Sequence, residues 1–500
     1  MCVSALVILT TTFVTSILLV VFLILIAYKV TFNYWQKQNV YTWKPTIPYG
    51  NAKDVIFQKI MYGSDINDFY NELKIKSMRY GGYYLFFTPV FVPADLELIK
   101  NIFVRDFEYF SDRVFYENQK YDPLSGNLLH LSGDRWKMVR AIVTRFITKK
   151  CLKESHPLMK QCSNALINLI QETMDREKSV DIKDVLDRFH IDLIGAYFFR
   201  MDCNTMNNTN ATFKNKMLNF FNSSFKDSLL RLIISVPKVI EFFKVKSYSS
   251  EVTTFFIQLV DSILESKQQE KSKNVLNALA TNKTALTKSE IVGNTALLFL
   301  AGYDSTSNTS TFFFYELALN KKLQDAVRNE IKAVFKKHGG EFRDVALEEL
   351  QLLEKCIKET LRKYPVSIIT TRICIKDYQV PNSDLVIRKG THVYMPIRGI
   401  HYDPEFYPNP EVFDPERFAD ESVNRRACTW IPFGNGPRHC IGSKFANASM
   451  KLSLSMLIMN YEFSLHPSTK NPIRYDPKAF LLQPEKPLRL IAIKINKHLQ

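Results

Sequence analysis

A single cysteine at the end of a glycine- and proline-rich loop constrains this chain more than any other feature of its sequence. The loop FGNGPRHCIG occupies residues 433–442 and contains Cys440. Apolar residues then recur between Ala446 and Leu457, so the sequence predicts that a helix begins directly after the loop. Cys440 has no second cysteine or histidine at the spacing of a zinc ligand set, which excludes a tetrahedral zinc site.

The chemistry of the loop suits an axial thiolate ligand to a haem iron. A helix start places backbone N–H groups and positive dipole beside Cys440, which predicts a lowered thiol pKa. Gly436 and Gly442 allow positive φ and a close approach of the backbone to a flat macrocycle. Arg438 can donate its guanidinium fork to a haem propionate, and Phe433 can shield the sulfur from water.

The loop resembles the haem-binding signature of the cytochrome P450 superfamily at five positions, Phe433, Gly436, Arg438, Cys440 and Gly442. An inert cysteine in a turn is the usual interpretation of one cysteine taken alone. Five matches within ten residues favour the haem signature instead. The resemblance covers the chain from Pro45 to the C-terminus. It implies the cytochrome P450 fold, mainly α with small β-sheets, and haem b with its iron held by Cys440.

Composition agrees with a large helical body in a reducing compartment. The chain of 500 residues has 37 Phe and 16 Gly, which suits a big apolar interior. Its eight cysteines lack paired spacing and do not indicate a disulfide framework. The net charge of +16 suits nucleic acid, an anionic membrane surface or an acidic protein. No nucleic-acid motif accompanies the charge, so a membrane and an acidic partner are preferred.

The N-terminus predicts a membrane anchor. Residues 1–28 contain no charged side chain, and a stretch of this length can span a hydrocarbon core about 30 Å thick. A cleaved signal peptide is the competing interpretation, but it needs a basic start, a shorter apolar core and a small-residue cleavage site. Lysines follow the span and place the body in the cytosol. We predict an anchor over 1–28, a basic, proline-containing hinge over 29–50 and a haem-thiolate monooxygenase domain over 51–500.

Further residues are candidates for binding the haem propionates. Trp136 and Arg140 are four positions apart and share one face of a predicted helix. An aromatic–cation pair of this kind is usually an ordinary surface contact. Beside the Cys440 loop, the pair resembles the Trp-x-x-x-Arg motif with which the family holds a propionate. The resemblance also implies propionate contacts from Arg113 and Arg372.

A long helix is predicted from the end of a capping box, Thr287–Glu290, to about Asn320. Its apolar character suggests a second membrane span at first sight. The asparagine, aspartate, serine and threonine side chains within it are too polar for lipid. We therefore expect this helix to cross the interior of the body.

The centre of this helix, AGYDST over residues 301–306, resembles the oxygen-activating segment of the family. The two small residues at 301 and 302 are expected to leave room for dioxygen. Asp304 and a neighbouring hydroxyl are expected to relay protons, a general-acid task. The family usually has threonine after the acid, whereas this chain has Ser305 followed by Thr306. Both hydroxyls remain candidates for the relay.

Other segments complete the predicted fold. Glu359, Arg362 and Arg417 resemble a three-residue ion network that marks the family, although such a network is weak support for stability. A helix is predicted over 347–364, and strands over 86–92, 479–482 and 488–495. The apolar segment 229–237 resembles a loop that dips toward the membrane and covers substrate entry. Plain core is the alternative interpretation of that segment.

The resemblance implies a monooxygenase that inserts one oxygen atom from O2 into small apolar substrates. The motifs look most like those of microsomal insect enzymes that metabolise xenobiotics, plant toxins and insecticides, which implies an endoplasmic reticulum membrane. The chain has no nucleotide loop, so electrons from NADPH must come through a separate NADPH–cytochrome P450 reductase, with cytochrome b5 as a candidate second donor. A basic dock for this partner is expected on the thiolate side, from Arg135, Lys137, Lys149, Lys150 and Lys444.

Three other functions remain open. The first is a monooxygenase that metabolises an endogenous lipid or hormone. The second is a haem-thiolate isomerase or synthase that rearranges an oxygenated lipid without a reductase, although the acid–hydroxyl pair at residues 304 and 305 argues against it. The third is a haem carrier or sensor that performs no turnover.

Overall fold

Helices form most of the chain in the computed structural model, which describes residues 2–207, 212–221, 244, 246–266, 275–281, 286–341, 344–420 and 428–495. Those before residue 288 are α1 (Cys2–Phe32), α2 (Lys53–Ile56), α3 (Ser64–Ile75), α4 (Leu96–Lys100), α5 (Gly133–Thr144), α6 (Lys149–Glu154), α7 (His156–Glu177), α8 (Ile182–Ile194), α9 (Thr212–Phe221), α10 (Ser250–Ser266) and α11 (Val275–Thr281). Those that follow are α12 (Lys288–Leu319), α13 (Lys321–Lys337), α14 (Asp344–Glu349), α15 (Gln351–Lys363), α16 (Ile397–His401) and α17 (Ser443–Asn460).

The strands are short and form small sheets. They are β1 (Tyr80–Leu85), β2 (Thr88–Pro93), β3 (Val180–Asp181), β4 (Thr370–Ile373), β5 (Tyr378–Gln379), β6 (Val386–Ile387), β7 (His392–Met395), β8 (Tyr461–Leu465) and β9 (Arg489–Lys494). Their orders are β1-β2-β7-β4, β3-β9-β8 and β5-β6. The β1–β2 pair is an antiparallel hairpin, and β2 runs parallel to β7. The prediction of a mainly α fold with small sheets is confirmed.

The predicted capping box and long helix are both present in α12. The Thr287 hydroxyl accepts a hydrogen bond from the Glu290 N–H at 3.2 Å, and the Glu290 carboxylate accepts one from the Thr287 N–H at 2.7 Å. The helix ends at Leu319, because the side chain of Asn320 caps the next helix through the N–H of Leu323. Most of α12 is buried, and α8 packs along it. It therefore crosses the interior of the body, as predicted.

Three local predictions need correction. The strand predicted over 86–92 is β2, which begins at Thr88 rather than at residue 86, because Phe86 has φ of 51° and forms the hairpin turn. The helix predicted over 347–364 is divided at Leu350, whose ψ of 82° separates α14 from α15. The strand predicted over 479–482 is wrong, since the Ala479 N–H donates to Asp476 in a turn. The strand predicted over 488–495 is confirmed as β9.

The N-terminal segment includes one helix that is long and apolar enough to cross a membrane. The end of this helix and the segment after it pack on the body. The Tyr28 hydroxyl donates to the carbonyl of Pro48 at 2.7 Å, and the Tyr28 ring stacks on Phe87. Trp35 is fully buried and donates from Nε1 to the Tyr83 carbonyl at 3.2 Å. The division at residues 28 and 50 stays a prediction, and the predicted lid segment 229–237 lies outside the described residues.

Candidate functional site

The Cys440 loop is held by its own backbone. The Cys440 N–H donates to the Phe433 carbonyl at 2.8 Å, which closes the loop directly before α17. Gly436 has φ of 71°, and a Cβ there would lie 1.9 Å from the Phe103 carbonyl oxygen, so only glycine fits. Gly442 does not use the positive φ that glycine allows, because it stands at the N-cap of α17 with φ of −85°. Gly434, with φ of 70°, has that conformation instead.

Two opposite effects act on the pKa of the Cys440 thiol, namely its burial and the positive potential around its sulfur. Burial raises the pKa of the thiol, while N–H groups of Gly442 and Ser443 and the charges of Arg113 and Arg140 lower it. Burial dominates, so the predicted net lowering of the pKa is wrong for the protein alone. A coordinated metal cation reverses this balance, because coordinating thiols are deprotonated outright. The surroundings of Cys440 therefore suit a thiolate that is stabilised by a bound metal cation.

Arg438 connects the loop to the segments around it. Its guanidinium donates to the carbonyl oxygens of Ser111 at 2.8 Å and Leu131 at 2.9 Å. It also stacks on Trp136 of α5, with 4.0 Å between the guanidinium carbon and the ring centroid. The guanidinium carbon of Arg140 lies 5.7 Å from the centroid of the same Trp136 ring. The structure thus brings both predicted α5 residues, Trp136 and Arg140, next to the Cys440 loop.

Arg372 and Arg438 are buried and Arg113 is half-buried, and these three arginines form a group that needs anions. Arg113 donates to the Arg438 carbonyl, and Arg372 on β4 is 1% exposed. Burial and neighbouring guanidinium charge lower the pKa of Arg113 to about 10 and of Arg438 to about 9, and they also hold the pKa of Arg372 well below its usual range. Asp112, 3.4 Å from Arg438, supplies one carboxylate to this group.

The arginine group fits a ligand with two carboxylates. The Nε atoms of Arg113 and Arg372 are buried, and within the described part of the chain neither has a hydrogen-bond partner. Unpaired buried cations are costly, so two further negative charges beside Asp112 would balance the three guanidinium groups. Haem b carries two propionates and an iron that accepts a thiolate. The residues present therefore fit haem b.

The two candidate hydroxyls on α12 differ in exposure. The partly exposed Ser305 donates from Oγ to the Ala301 carbonyl at 2.5 Å and lies on the exposed Ala301 face. Thr306 is 1% exposed and donates to the carbonyls of Gly302 and Tyr303 at 2.5 and 3.0 Å. Both hydroxyls are therefore bonded to the backbone of their own helix, and Ser305 is the more accessible of the two.

Gly302 serves helix packing. A Cβ at Gly302 would lie 2.6 Å from Ile194 of α8. The space on the Cβ side of Gly302 is therefore filled by α8, and room for dioxygen beside residues 301 and 302 stays a prediction. Ala301, which is exposed, is the small residue on the open face of the helix.

Asp304 faces α8 rather than the open face. Its Oδ1 accepts hydrogen bonds from Lys183 Nζ at 2.9 Å and from Asn308 Nδ2 at 3.0 Å. Lys183 also bonds Asp187, one turn further along α8. Sequence reasoning missed both α8 residues. Their i,i+4 spacing signals a helix ion pair, but nothing in the sequence indicates that Asp304 is the third member.

The predicted ion network behind the loop is present. Arg362 Nε lies 2.7 Å from Glu359, and both side chains are fully buried. Arg417 lies 3.5 Å from Glu359 and donates to the Asn409 carbonyl. Arg362 also donates to the carbonyl of His401 at 2.9 Å, which ties α15 to α16. This network holds the scaffold on which the Cys440 loop is built.

The comparisons with known proteins agree with this geometry. A family model described as Cytochrome P450 matches residues 49–492. "Probable cytochrome P450 6a23" of Drosophila melanogaster is 33% identical, covering 97% of this chain and 99% of that protein. "Cytochrome P450 6A1" of Musca domestica is 32% identical, covering 94% and 95%. "Cytochrome P450 6j1" of Blattella germanica is 33% identical, covering 90% and 91%.

Proposed function

This chain belongs to the cytochrome P450 family and is a haem-dependent monooxygenase, and from that premise we propose that it oxidises small apolar foreign compounds at the Cys440 site. The proposed substrates include xenobiotics, plant toxins and insecticides. The observation that supports haem at the Cys440 site is the arginine group of Arg113, Arg372 and Arg438, since its unpaired Nε atoms fit a dicarboxylate macrocycle. The insect relatives and the resemblance of the sequence motifs to microsomal insect enzymes support the substrate class.

The residues of the site divide between holding the haem and handling protons. Cys440 provides the thiolate for the iron, and Phe433 shields that sulfur. Arg113, Arg372 and Arg438 neutralise the propionates, together with Trp136 and Arg140. When bound, haem supplies the activation of O2 and the transfer of one oxygen atom to the substrate.

Asp304 and Ser305 form the proposed proton relay, with Thr306 as the second choice for the hydroxyl. Ser305 is favoured because its Oγ lies on the open Ala301 face, whereas the Thr306 hydroxyl is buried against the helix backbone. Asp304 takes up protons on the α8 side and passes them to Ser305 Oγ after its carboxylate turns. The Ala301 bond fixes the Ser305 hydroxyl close to this path.

Electrons are proposed to come from NADPH through a separate reductase, with cytochrome b5 as a second donor. A groove of about 520 Å³ beside the Cys440 loop includes Lys137, Arg140 and Arg145 in its lining. Cations in such a groove favour an acidic partner. Arg135 contributes less than expected, because it forms an ion pair with the buried carboxylate of Glu290. The helix α1 is proposed to anchor the chain in the endoplasmic reticulum membrane, with the body in the cytosol.

Reconstitution separates this function from its alternatives. The haem-loaded protein would be incubated with reductase, NADPH and a panel of apolar compounds, and product would be measured with and without O2. Product that requires both NADPH and O2 supports the proposal. Turnover without NADPH would instead indicate an isomerase or synthase, and haem binding without any turnover would indicate a carrier or sensor. A preference for endogenous lipids within the panel would contradict the proposed substrate class.

A further inference from the structure

Lys183, near the start of α8, is shared between two buried carboxylates. Its Nζ lies 2.9 Å from Oδ1 of Asp304 on α12 and 3.0 Å from Oδ1 of Asp187 on its own helix. The side chains of Asp304 and Asp187 are 8% and 4% exposed. One ammonium group therefore serves two carboxylates, which leaves this triad with an uncompensated negative charge away from bulk water.

Each carboxylate of the triad has one further donor. Ser307 of α12 donates its hydroxyl hydrogen to Asp187, and Asn308 donates from Nδ2 to Asp304 at 3.0 Å. Lys183 donates to both carboxylate oxygens of Asp187, at 3.0 and 3.1 Å, and to one oxygen of Asp304, at 2.9 Å. The ammonium can therefore stay paired on losing either acid.

Other charged and titratable groups surround the triad. On α8, Asp184 is paired by Arg188 Nε at 2.8 Å and by Lys214 of α9, so this second cluster has an excess positive charge. Among the described residues, Asp181, His190 and Tyr303 also interact electrostatically with the triad or its neighbours. Burial raises the pKa of Asp187 to about 6, with the charge of Asp304 adding to the rise and Lys183 opposing it.

The bond from Lys183 holds the Asp304 carboxylate away from Ser305. Asp304 points toward α8, whereas Ser305 lies on the Ala301 face of the same helix. For Asp304 to deliver a proton to Ser305, its carboxylate must leave Lys183 and turn. That movement would leave Lys183 buried and unpaired unless a second carboxylate is ready to hold it. Asp187 is the carboxylate in that position.

We propose that Asp187 is a positioning residue for proton delivery, which competes with Asp304 for Lys183 and so frees Asp304 to turn toward Ser305. When Asp187 is ionised, Lys183 stays paired after Asp304 leaves. When Asp187 is neutral, Lys183 is committed to Asp304, and that acid stays turned toward α8. The inference rests on the relay role given to Asp304 under the proposed function.

The first test compares Asp187→Asn with Asp184→Asn in the haem-loaded protein with reductase. The amide at 187 still accepts from Ser307 but no longer attracts Lys183, so product formed per NADPH should fall by about fivefold. Asp184→Asn removes an equal charge from the same helix without touching the Lys183 ammonium, and should leave this ratio near that of the parent. Equal ratios in Asp187→Asn and the parent would overturn the proposal.

The pH profile of the parent provides a test that needs no variant. Coupling should fall as the pH drops through about 6, where Asp187 takes up a proton. This acid limb should vanish in Asp187→Asn, which should show the low ratio throughout. A parent profile that is flat between pH 5 and pH 7 would contradict the proposal.

Rescue and spectroscopy separate positioning from a structural role. Replacing Lys183 as well, in Lys183→Met with Asp187→Asn, should restore much of the coupling because no ammonium then holds Asp304 toward α8 and only the neutral Asn308 amide still bonds it. A double variant no better than Asp187→Asn would count against the idea. Independently of turnover, the infrared carboxylic-acid band of the parent should grow below pH 6 by an amount that is missing in Asp187→Asn.

The variant Asp304→Asn, measured in parallel, separates the relay role of Asp304 from the positioning role of Asp187. If Asp304→Asn keeps normal coupling, the relay assigned to Asp304 fails, and this inference fails with it. If Asp304→Asn loses coupling while Asp187→Asn does not, only the positioning role of Asp187 fails.

Discussion

Nη2 of Arg113 donates to the carbonyl oxygen of Arg438 at 3.1 Å. An arginine outside the Cys440 loop thus contacts one within it, and the pKa of each is lowered. Charges of the same sign do not gather in a protein interior without a reason, because each loses its hydration there. The reason offered by the site is a ligand that brings two carboxylates. The arginine group is consequently expected to be worth more to haem binding than to folding of the chain alone.

The variant Arg372→Met tests this expectation. The buried guanidinium has an unpaired Nε, and its loss should remove a charged hydrogen bond to haem worth about 1.5–3 kcal/mol, which speeds haem loss roughly tenfold or more. The rate of haem transfer to an excess of apomyoglobin measures the effect. Arg388→Met, which removes an exposed arginine paired with Asp377, should release haem at the parental rate. Equal rates for the two variants would remove Arg372 from the haem site.

Glu359→Gln should destabilise the whole body. Arg362 and Glu359 are both fully buried, and breaking such a pair from one side costs about 3–5 kcal/mol because it leaves a buried charge alone. Urea unfolding of the haem-loaded protein gives the difference in free energy of unfolding. The matched control Glu416→Gln breaks a surface pair with Lys355 and should cost less than about 1 kcal/mol. Similar costs for both variants would mean that the network contributes no more than a surface pair.

Much of this architecture could be predicted from the sequence because its signals are local. The capping box at Thr287 and Glu290 predicts the start of α12, and the spacing of Trp136 and Arg140 predicts their common face. What the sequence could not reveal depends on contacts between distant segments. Lys183 reaches Asp304 across 121 positions, and Ile194 fills the space beside Gly302. The net pKa of Cys440 likewise depends on how deeply the fold buries it.

Ser305→Ala and Thr306→Ala should have different consequences. Loss of the more accessible Ser305 hydroxyl should lower product per NADPH and raise peroxide, since protons then reach oxygen by less controlled routes. Thr306→Ala should mainly cost stability, about 1–2 kcal/mol, because it removes a hydroxyl bonded to two backbone carbonyls. Ser305→Thr should couple as well as the parent or better, because the added methyl group restricts the rotamer. Normal coupling in Ser305→Ala with loss in Thr306→Ala would transfer the relay to Thr306.

Two truncations test how the N-terminal helix is joined to the body. Removing residues 2–24 should release much of the protein from membranes while haem content and unfolding stay near parental values, because Tyr28 and Trp35 remain. Removing residues 2–38 also deletes the fully buried Trp35, whose loss should cost about 3–5 kcal/mol. Fractionation of membranes and urea unfolding measure the two effects. Equal stability of both truncations would show that packing of the segment after the anchor is unimportant.

The central claim is that Cys440 is the thiolate ligand of the haem iron, and the absorption spectrum of the reduced protein with carbon monoxide tests it most directly. Parent protein should show the red-shifted Soret band of a thiolate-ligated carbonyl complex. Cys440→Ala should lose this band, and Cys428→Ala, which changes a buried cysteine twelve positions earlier, should keep it. A thiolate-type carbonyl spectrum that persists in Cys440→Ala would contradict the account.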